Sequence, residues 1–403
     1  MKDFFKFTLA TVTGIILSSV LLFFLSILIF FSMLASSESE TRVSKNSIMM
    51  LKLNGTLTER SQSTPFDFLL KDISNSYGLD DILSSIQKAK ENEHIKGIYI
   101  EAGLLEAGIS SIEEMRNALA EFKKSGKFIV AYGDTYSQGL YYLSSIADKV
   151  LLNPQGMIEW KGLASTPIFY KDLLEKVGVE MQIFKVGTYK SAVEPWISNE
   201  MSEANREQIS TYLADTWGKI TSDVATSRNI SSEELNTLAD KMLMFHPAEE
   251  SVKCGLVDTL IYKNDVRDYL KDMMGLDKED GLSVLGLQDM INVKKNVPKD
   301  KSGNIVAVYY LEGTIMAGTL STGENEIDSE KVIKDLRKLQ KDKDVKAVVL
   351  RINSPGGSAY GSEQIWYAIS QLKKEKPVVV SMGDYAASGG YYIACNADTS
   401  RLH

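Results

Sequence analysis

An internal duplication sets the first limit on how this chain can fold. Residues 94–148 match residues 344–398 at a constant shift of 250 positions, with no gap across the 55 residues. HIKGIYI (94–100) lines up with DVKAVVL (344–350), and FIVAYGDTYSQGLYYLSSIAD (128–148) with VVVSMGDYAASGGYYIACNAD (378–398). Gly133, Asp134, Gly139, Tyr141, Tyr142, Ala147 and Asp148 recur as Gly383, Asp384, Gly389, Tyr391, Tyr392, Ala397 and Asp398. An earlier pair, MLKLNGTL (50–57) and VYYLEGTI (308–315), matches at a slightly different shift. Such self-similarity marks a unit used twice. Short β-branched apolar runs at 95–100, 345–352, 128–132 and 378–382 read as buried parallel strands, and 111–124 and 362–374 space their apolar residues as helices do. Strands alternating with helices argue for a parallel α/β architecture.

The front copy continues with a helix at 168–177, a strand at 180–186 and a long helix from about 200 to 228. The Lys-, Asp- and Gly-rich stretch 264–304 reads as a linker with one short helix. The expected division is therefore 1–45, 46–263 (front copy), 264–304 (linker) and 305–403 (rear copy). The rear copy stops five residues after Asp398, whereas the front copy runs more than a hundred residues past Asp148. On that comparison the rear copy is expected to be truncated and, alone, inactive or poorly folded.

Residues 7–34 carry no charge. At helical rise the stretch spans roughly 40 Å, more than the hydrocarbon core of a bilayer. It is too long for the apolar region of a cleaved signal peptide, and 33–35 is a poor cleavage match, so an uncleaved anchor is expected. Lys and Arg are nearly balanced on its two sides, which leaves orientation weakly set; the bulk is expected outside the cytoplasm. A net charge of −8 gives no electrostatic case for nucleic acid. Two cysteines, Cys254 and Cys395, exclude a disulfide scaffold and read as small buried residues.

The copies differ where chemistry would sit. The rear copy has Asn353-Ser354-Pro355-Gly356-Gly357 after one strand and Gly383-Asp384-Tyr385-Ala386-Ala387-Ser388-Gly389-Gly390 after the next. Both lie at carboxyl ends of adjacent strands, where α/β sites gather. Ser388 stands at a strand-to-helix turn among small residues, with the Gly389 amide and the Gly356-Gly357 turn as oxyanion donors. A lone SGG would most often serve packing. The front copy keeps the packing residues but has Gln138 in place of Ser388 and Leu105-Glu106-Ala107 in place of Pro355-Gly356-Gly357. A serine needs a base, and His94, His246 and His403 are poorly placed. A lysine neutralised by burial is the other known solution. Gly187-Thr188-Tyr189-Lys190-Ser191-Ala192-Val193-Glu194-Pro195 offers Lys190, with Lys185 as a nearby competitor; taken alone, a lysine is more often a solvated surface charge.

The anchor, GTYKSAVEPW (187–196), RINSPGGSAYGSE (351–363) and MGDYAASGGYYIAC (382–395), in this order, resemble the signal peptide peptidase A (protease IV) family in its long two-repeat form. The resemblance covers nearly the whole chain. It implies a tandem Clp protease/crotonase-like fold, in which ββα units stack into a spiral. It places the nucleophile on Ser388, the general base on Lys190, and the oxyanion hole on the Gly389 amide and one amide of Gly356 or Gly357. It implies a Ser–Lys dyad built from both copies, needing no metal or cofactor. It further implies a homotetrameric bowl, anchored by one pass in the bacterial cytoplasmic membrane with its catalytic part outside, which takes peptide remnants of signal sequences. The residue that orients the lysine is expected shortly beyond 403. A crotonase-type acyl-CoA enzyme shares the fold but would bind CoA and leave the serine unacylated; an inactive membrane scaffold is the non-enzymatic alternative.

Overall fold

Among the described residues every strand pairing is parallel, as expected where helices connect the strands. The computed structural model describes residues 1–36, 40–61, 76–277, 279–296, 301–318 and 325–402. The chain opens with α1 (Lys2–Ser36). Its portion Lys2–Ile29 is long and apolar enough to cross a membrane, and the most apolar stretch of it has no buried residue.

The front copy runs β1 (Ser47–Thr58), β2 (Ser76–Gly78), α2 (Leu79–Glu91), β3 (Ile95–Glu106), α3 (Ile109–Lys123), β4 (Phe128–Tyr136), α4 (Gln138–Ser144) and β5 (Lys149–Ile158). After it come α5 (Lys171–Lys176), α6 (Glu194–Ile197), α7 (Glu203–Arg228), α8 (Ser232–Asp240), α9 (Ala248–Lys253), β6 (Thr259–Leu260), α10 (Val266–Met274), β7 (Ser283–Leu285) and α11 (Leu287–Ile291). The rear copy repeats the order: β8 (Ile305–Glu312), β9 (Thr314–Met316), β10 (Glu326–Asp328), α12 (Ser329–Lys341), β11 (Val345–Ser354), α13 (Ala359–Lys373), β12 (Val378–Ala386), α14 (Gly389–Ala394) and β13 (Thr399–Leu402). The front sheet has the order β2-β1-β3-β4-β5-β6, with β7 also on β1; the rear sheet has the order β13-β12-β11-β8; β9 and β10 pair separately.

The apolar runs that suggested strands are the sheet centres. Ile98, Ile100, Ile129 and Val130 in front, and Val348, Leu350, Ile352, Val378 and Val380 behind, are fully buried. The repeated Ala-Asp pair has a structural use. Asp148 accepts the Ile129 amide at 2.7 Å and donates its own to the Ile129 carbonyl at 2.8 Å; Asp398 does the same with Val378 at 2.9 Å each way. Each aspartate thus splices the next strand onto its neighbour's start.

Four expectations change. Residues 264–304, read as a linker, carry α10, β7 and α11, and β7 pairs with the first residues of β1. Val266, Leu270, Leu285 and Met290 from this stretch are buried in the front cores; its spaced apolar residues, set among charges, concealed this. The strand expected at 180–186 is absent: the segment is irregular and joins none of the sheets, with Phe184 94% and Val186 95% exposed. Helix 168–177 shrinks to α5. Both cysteines are free, but Cys254 is half-buried and Cys395 exposed, at the outer end of α14.

Candidate active site

Ser388 sits between β12 and α14 as the N-cap of α14, with φ +50° and ψ −117°. A side-chain-bearing residue in this region is strained, typically by about 1–3 kcal/mol, and such strain collects at functional positions. The hydroxyl is exposed and has no hydrogen-bond partner among the described residues. The front copy shows the relaxed alternative. There the helix starts one residue earlier, with Ser137 as an ordinary extended cap (φ −63°, ψ 155°) and Gln138 already helical. Gln138 spends its amide on the 161–162 loop, accepting from Lys161 N and Gly162 N at 3.0 Å each.

Short contacts hold the elbow. Ala387 N donates to Ser354 O at 3.0 Å, and Gly390 N to Ala387 O at 2.8 Å. A Cβ on Gly356 (φ +98°) would lie 2.6 Å from the Gly389 nitrogen and 2.8 Å from Ser388 Cβ, so only glycine permits this approach. The turn is fixed from below: Ser354 Oγ donates to Gly313 O at 2.6 Å and accepts the Gly356 amide at 3.1 Å. Ile315 brackets Gly357, its N–H donating to Gly356 O and its carbonyl accepting from Ser358 N, both at 2.8 Å. The Gly356 amide is therefore occupied. The amides of Gly357 and Gly389 find no acceptor among the described residues.

The structure thus brings Ser388, Gly356 and Gly389 together, with Gly357 in the same turn. Lys190 is placed differently. It is exposed, without a hydrogen bond or ion pair among the described residues, in the irregular stretch between α5 and α6. The burial expected around it is missing within the single chain. The same arm exposes Leu173, Val177, Phe184, Val186, Tyr189 and Trp196.

Sequence reasoning missed the polar seam that joins the copies beside this site. Arg351, on β11, donates to Glu59 through Nε (2.7 Å) and Nη2 (3.1 Å), lies 2.7 Å from Glu114 and bonds Ser381 Oγ at 2.9 Å. The Arg351 and Glu59 side chains are 7% and 3% exposed. Burial works against the Arg351 charge, but its bonds to Glu59 and the charges of Glu59 and Glu114 outweigh this and hold its pKa above the ordinary value. Burial pushes Glu59 up; Arg351 opposes the rise and the charges of Glu114 and Asp384 add to it. An arginine inside an apolar strand was the available signal, since buried charges are rarely unpaired.

Glu312 completes the seam, accepting the Glu59 amide at 3.2 Å. Burial raises its pKa, with the Glu59 charge adding to the rise. A carboxyl raised by folding favours the folded state below its unfolded pKa, and loses that benefit as pH climbs through the folded value. Glu312→Gln keeps an acceptor and removes the charge. The variant is expected to melt higher than the native protein at neutral pH, with the gap closing on acidification. A gap independent of pH in paired thermal melts would contradict this.

Comparison with known proteins identifies the family. The profile of Peptidase family S49 matches residues 121–277 and 370–402. Protease 4 of Haemophilus influenzae is 32% identical over 411 residues, covering 97% of this chain and 66% of that protein. Protease 4 of Salmonella typhi is 37% identical over 79% of this chain and 52% of that protein, and the chloroplastic serine protease SPPA of Arabidopsis thaliana 30% identical over 89% and 52%. The chain spans about half to two-thirds of the length of these relatives. Together the tandem α/β repeats, the apolar first helix and these matches show that the chain belongs to peptidase family S49.

Proposed function

We propose that the protein is a membrane-anchored serine endopeptidase, with Ser388 as nucleophile, Lys190 as general base, and the amides of Gly357 and Gly389 as the oxyanion hole. The observation that carries this reading is the strained, exposed Ser388 beside two amide donors that have no acceptor among the described residues. Neutral Lys190 Nζ takes the proton of Ser388 Oγ as the oxygen attacks a peptide carbonyl carbon. The two amides hold the carbonyl oxygen as it becomes negative. The C–N bond then breaks, the amine leaves with the proton from Nζ, and water releases the acyl group from Oγ by the same route in reverse.

The exposed apolar arm around Lys190 supports an assembly in which other copies cover it, because apolar surface on this scale marks an interaction face. A homotetramer would give Lys190 the dry surroundings that a neutral amine needs. Apolar stretches left from signal sequences fit such a lining as substrates, and α1 supports a single-pass anchor in a bacterial cytoplasmic membrane with the catalytic part outside. The test is a peptidyl fluorophosphonate followed by peptide mass mapping of the full-length protein. The adduct is expected on Ser388. Labelling elsewhere, or none alongside measurable peptide cleavage, would overturn the assignment.

A further inference from the structure

Asp384 lies four residues before Ser388, where the β11–β12 pairing slips between Ile352 and Ser354. The slip leaves residues 383–385, near the end of β12, without register partners on β11. Tyr385 N ties this bulge back by donating to Asn353 Oδ1 at 3.0 Å, while Asp384 reaches across the seam into the front copy. Its carboxylate accepts Ser111 N at 3.0 Å and Ser111 Oγ at 2.6 Å. Ser111 is the third residue of α3, the helix capped by Gly108. That helix has no acidic residue in its first turn and no side-chain cap of its own. A Cβ on Gly108 would fall 2.0–2.4 Å from the Asp384 carboxyl atoms, so the glycine there leaves the carboxylate its seat. The capping group that α3 lacks in its own copy comes from the other copy, and a carboxylate at a helix N-terminus is favourable for both hydrogen-bonding and dipole reasons.

The front copy uses the matching aspartate otherwise. Asp134 lies at a slip in the pairing of β4 with β5, on the opposite edge of the strand from the β11–β12 slip at Asp384; it stays exposed, accepting from Tyr132 Oη at 2.6 Å and Asn153 Nδ2 at 2.8 Å. The aspartate belongs to the duplicated fold; among the described residues, the reach across the seam is made by the one in the copy that carries Ser388.

We infer that Asp384 is a positioning residue: by capping α3 across the seam it fixes the Ser388 elbow, so the front copy sets the nucleophile's aim. This rests on the proposed role of Ser388. A displacement of about 1 Å at a reacting atom can cost ~100-fold in rate. In the full-length protein, Asp384→Asn keeps one acceptor and loses the second. It is expected to lower kcat per fluorophosphonate-titratable site by ~10- to 100-fold with KM little changed. Ser111→Ala is expected to do the same more mildly, Ser111→Thr to restore the rate, and the Asp384→Asn/Ser111→Ala pair to fall short of additivity. A purely structural role would reduce the number of titratable sites and the melting temperature while leaving kcat per site at the native value, and that result would overturn the inference. If Asp384→Asn fails to fold, the Ser111 variants decide by the same readout. Native protein that cleaves peptide without labelling at Ser388 would instead sink the serine peptidase reading itself.

Discussion

Ser388→Ala and Lys190→Ala are each expected to lower peptide cleavage by ~10⁴-fold or more while leaving the melting temperature nearly unchanged. Removing a member of a nucleophile–base set typically costs that much, and what survives comes from the oxyanion hole and binding. Stability should hold because neither side chain has a hydrogen-bond partner among the described residues, and both are exposed. Ser388→Gly separates the two effects further. Glycine adopts a positive φ freely, so this variant should be as inactive as the alanine one yet more stable by about 1 kcal/mol. Stability gained together with activity lost is the mark of backbone strain kept for function. Normal turnover in any of the three would remove the dyad.

Arg351→Met is the second large effect, and it acts on stability. The variant leaves Glu59, 3% exposed, and Glu114 without the cation that faces both. Breaking a buried pair from one side costs about 3–5 kcal/mol, because the stranded charge stays out of water. The loss should fall on the seam between the copies, and limited proteolysis there should accelerate as the melting temperature drops. The sign of the pH effect follows from Glu59. Burial already raises its pKa, and without Arg351 only the raising influences remain. Protonation then relieves the stranded charge, so the deficit should shrink as pH falls and be widest at neutral pH and above. A change within ~0.5 kcal/mol, as for an ordinary surface substitution, would show that the seam does not depend on this pair.

Much of the fold was legible because the duplication and the apolar runs carry it. Val345–Ser354 and Val378–Ala386 are strands for the reason their sequence suggests: they are rich in β-branched residues, and Val348, Ile352, Val378 and Val380 are buried in the rear core. The repeated Ala-Asp pair was visible as a pattern, but its use, a carboxylate joining the starts of neighbouring strands, was not. Residues 264–304 misled because Val266, Leu270, Leu285 and Met290 are spread among charges, and only the surface left open by the front core shows where they go. Ser388 and Gly356 were legible from the contrast between copies, and Gly389 as the shared glycine that directly follows Ser388. That Gly357 rather than Gly356 keeps a free amide was not, since it depends on Ser354 Oγ occupying the other. Lys190 marks the opposite limit. Its motif suggested a buried amine, and within one chain it is exposed, because the residues that would enclose it are not its sequence neighbours. The Arg351 and Asp384 contacts lie 292 and 273 positions from their partners, beyond the reach of any local pattern.

The most direct test is the position of Lys190 Nζ in a crystal structure of the full-length, assembled protein with a lipopeptide aldehyde on Ser388. The account predicts Nζ within ~2.6–3.2 Å of Ser388 Oγ, at hydrogen-bonding range, and the hemiacetal oxygen between the amides of Gly357 and Gly389. An adduct on Ser388 with Lys190 still in solvent, and a different group against Oγ, would contradict it.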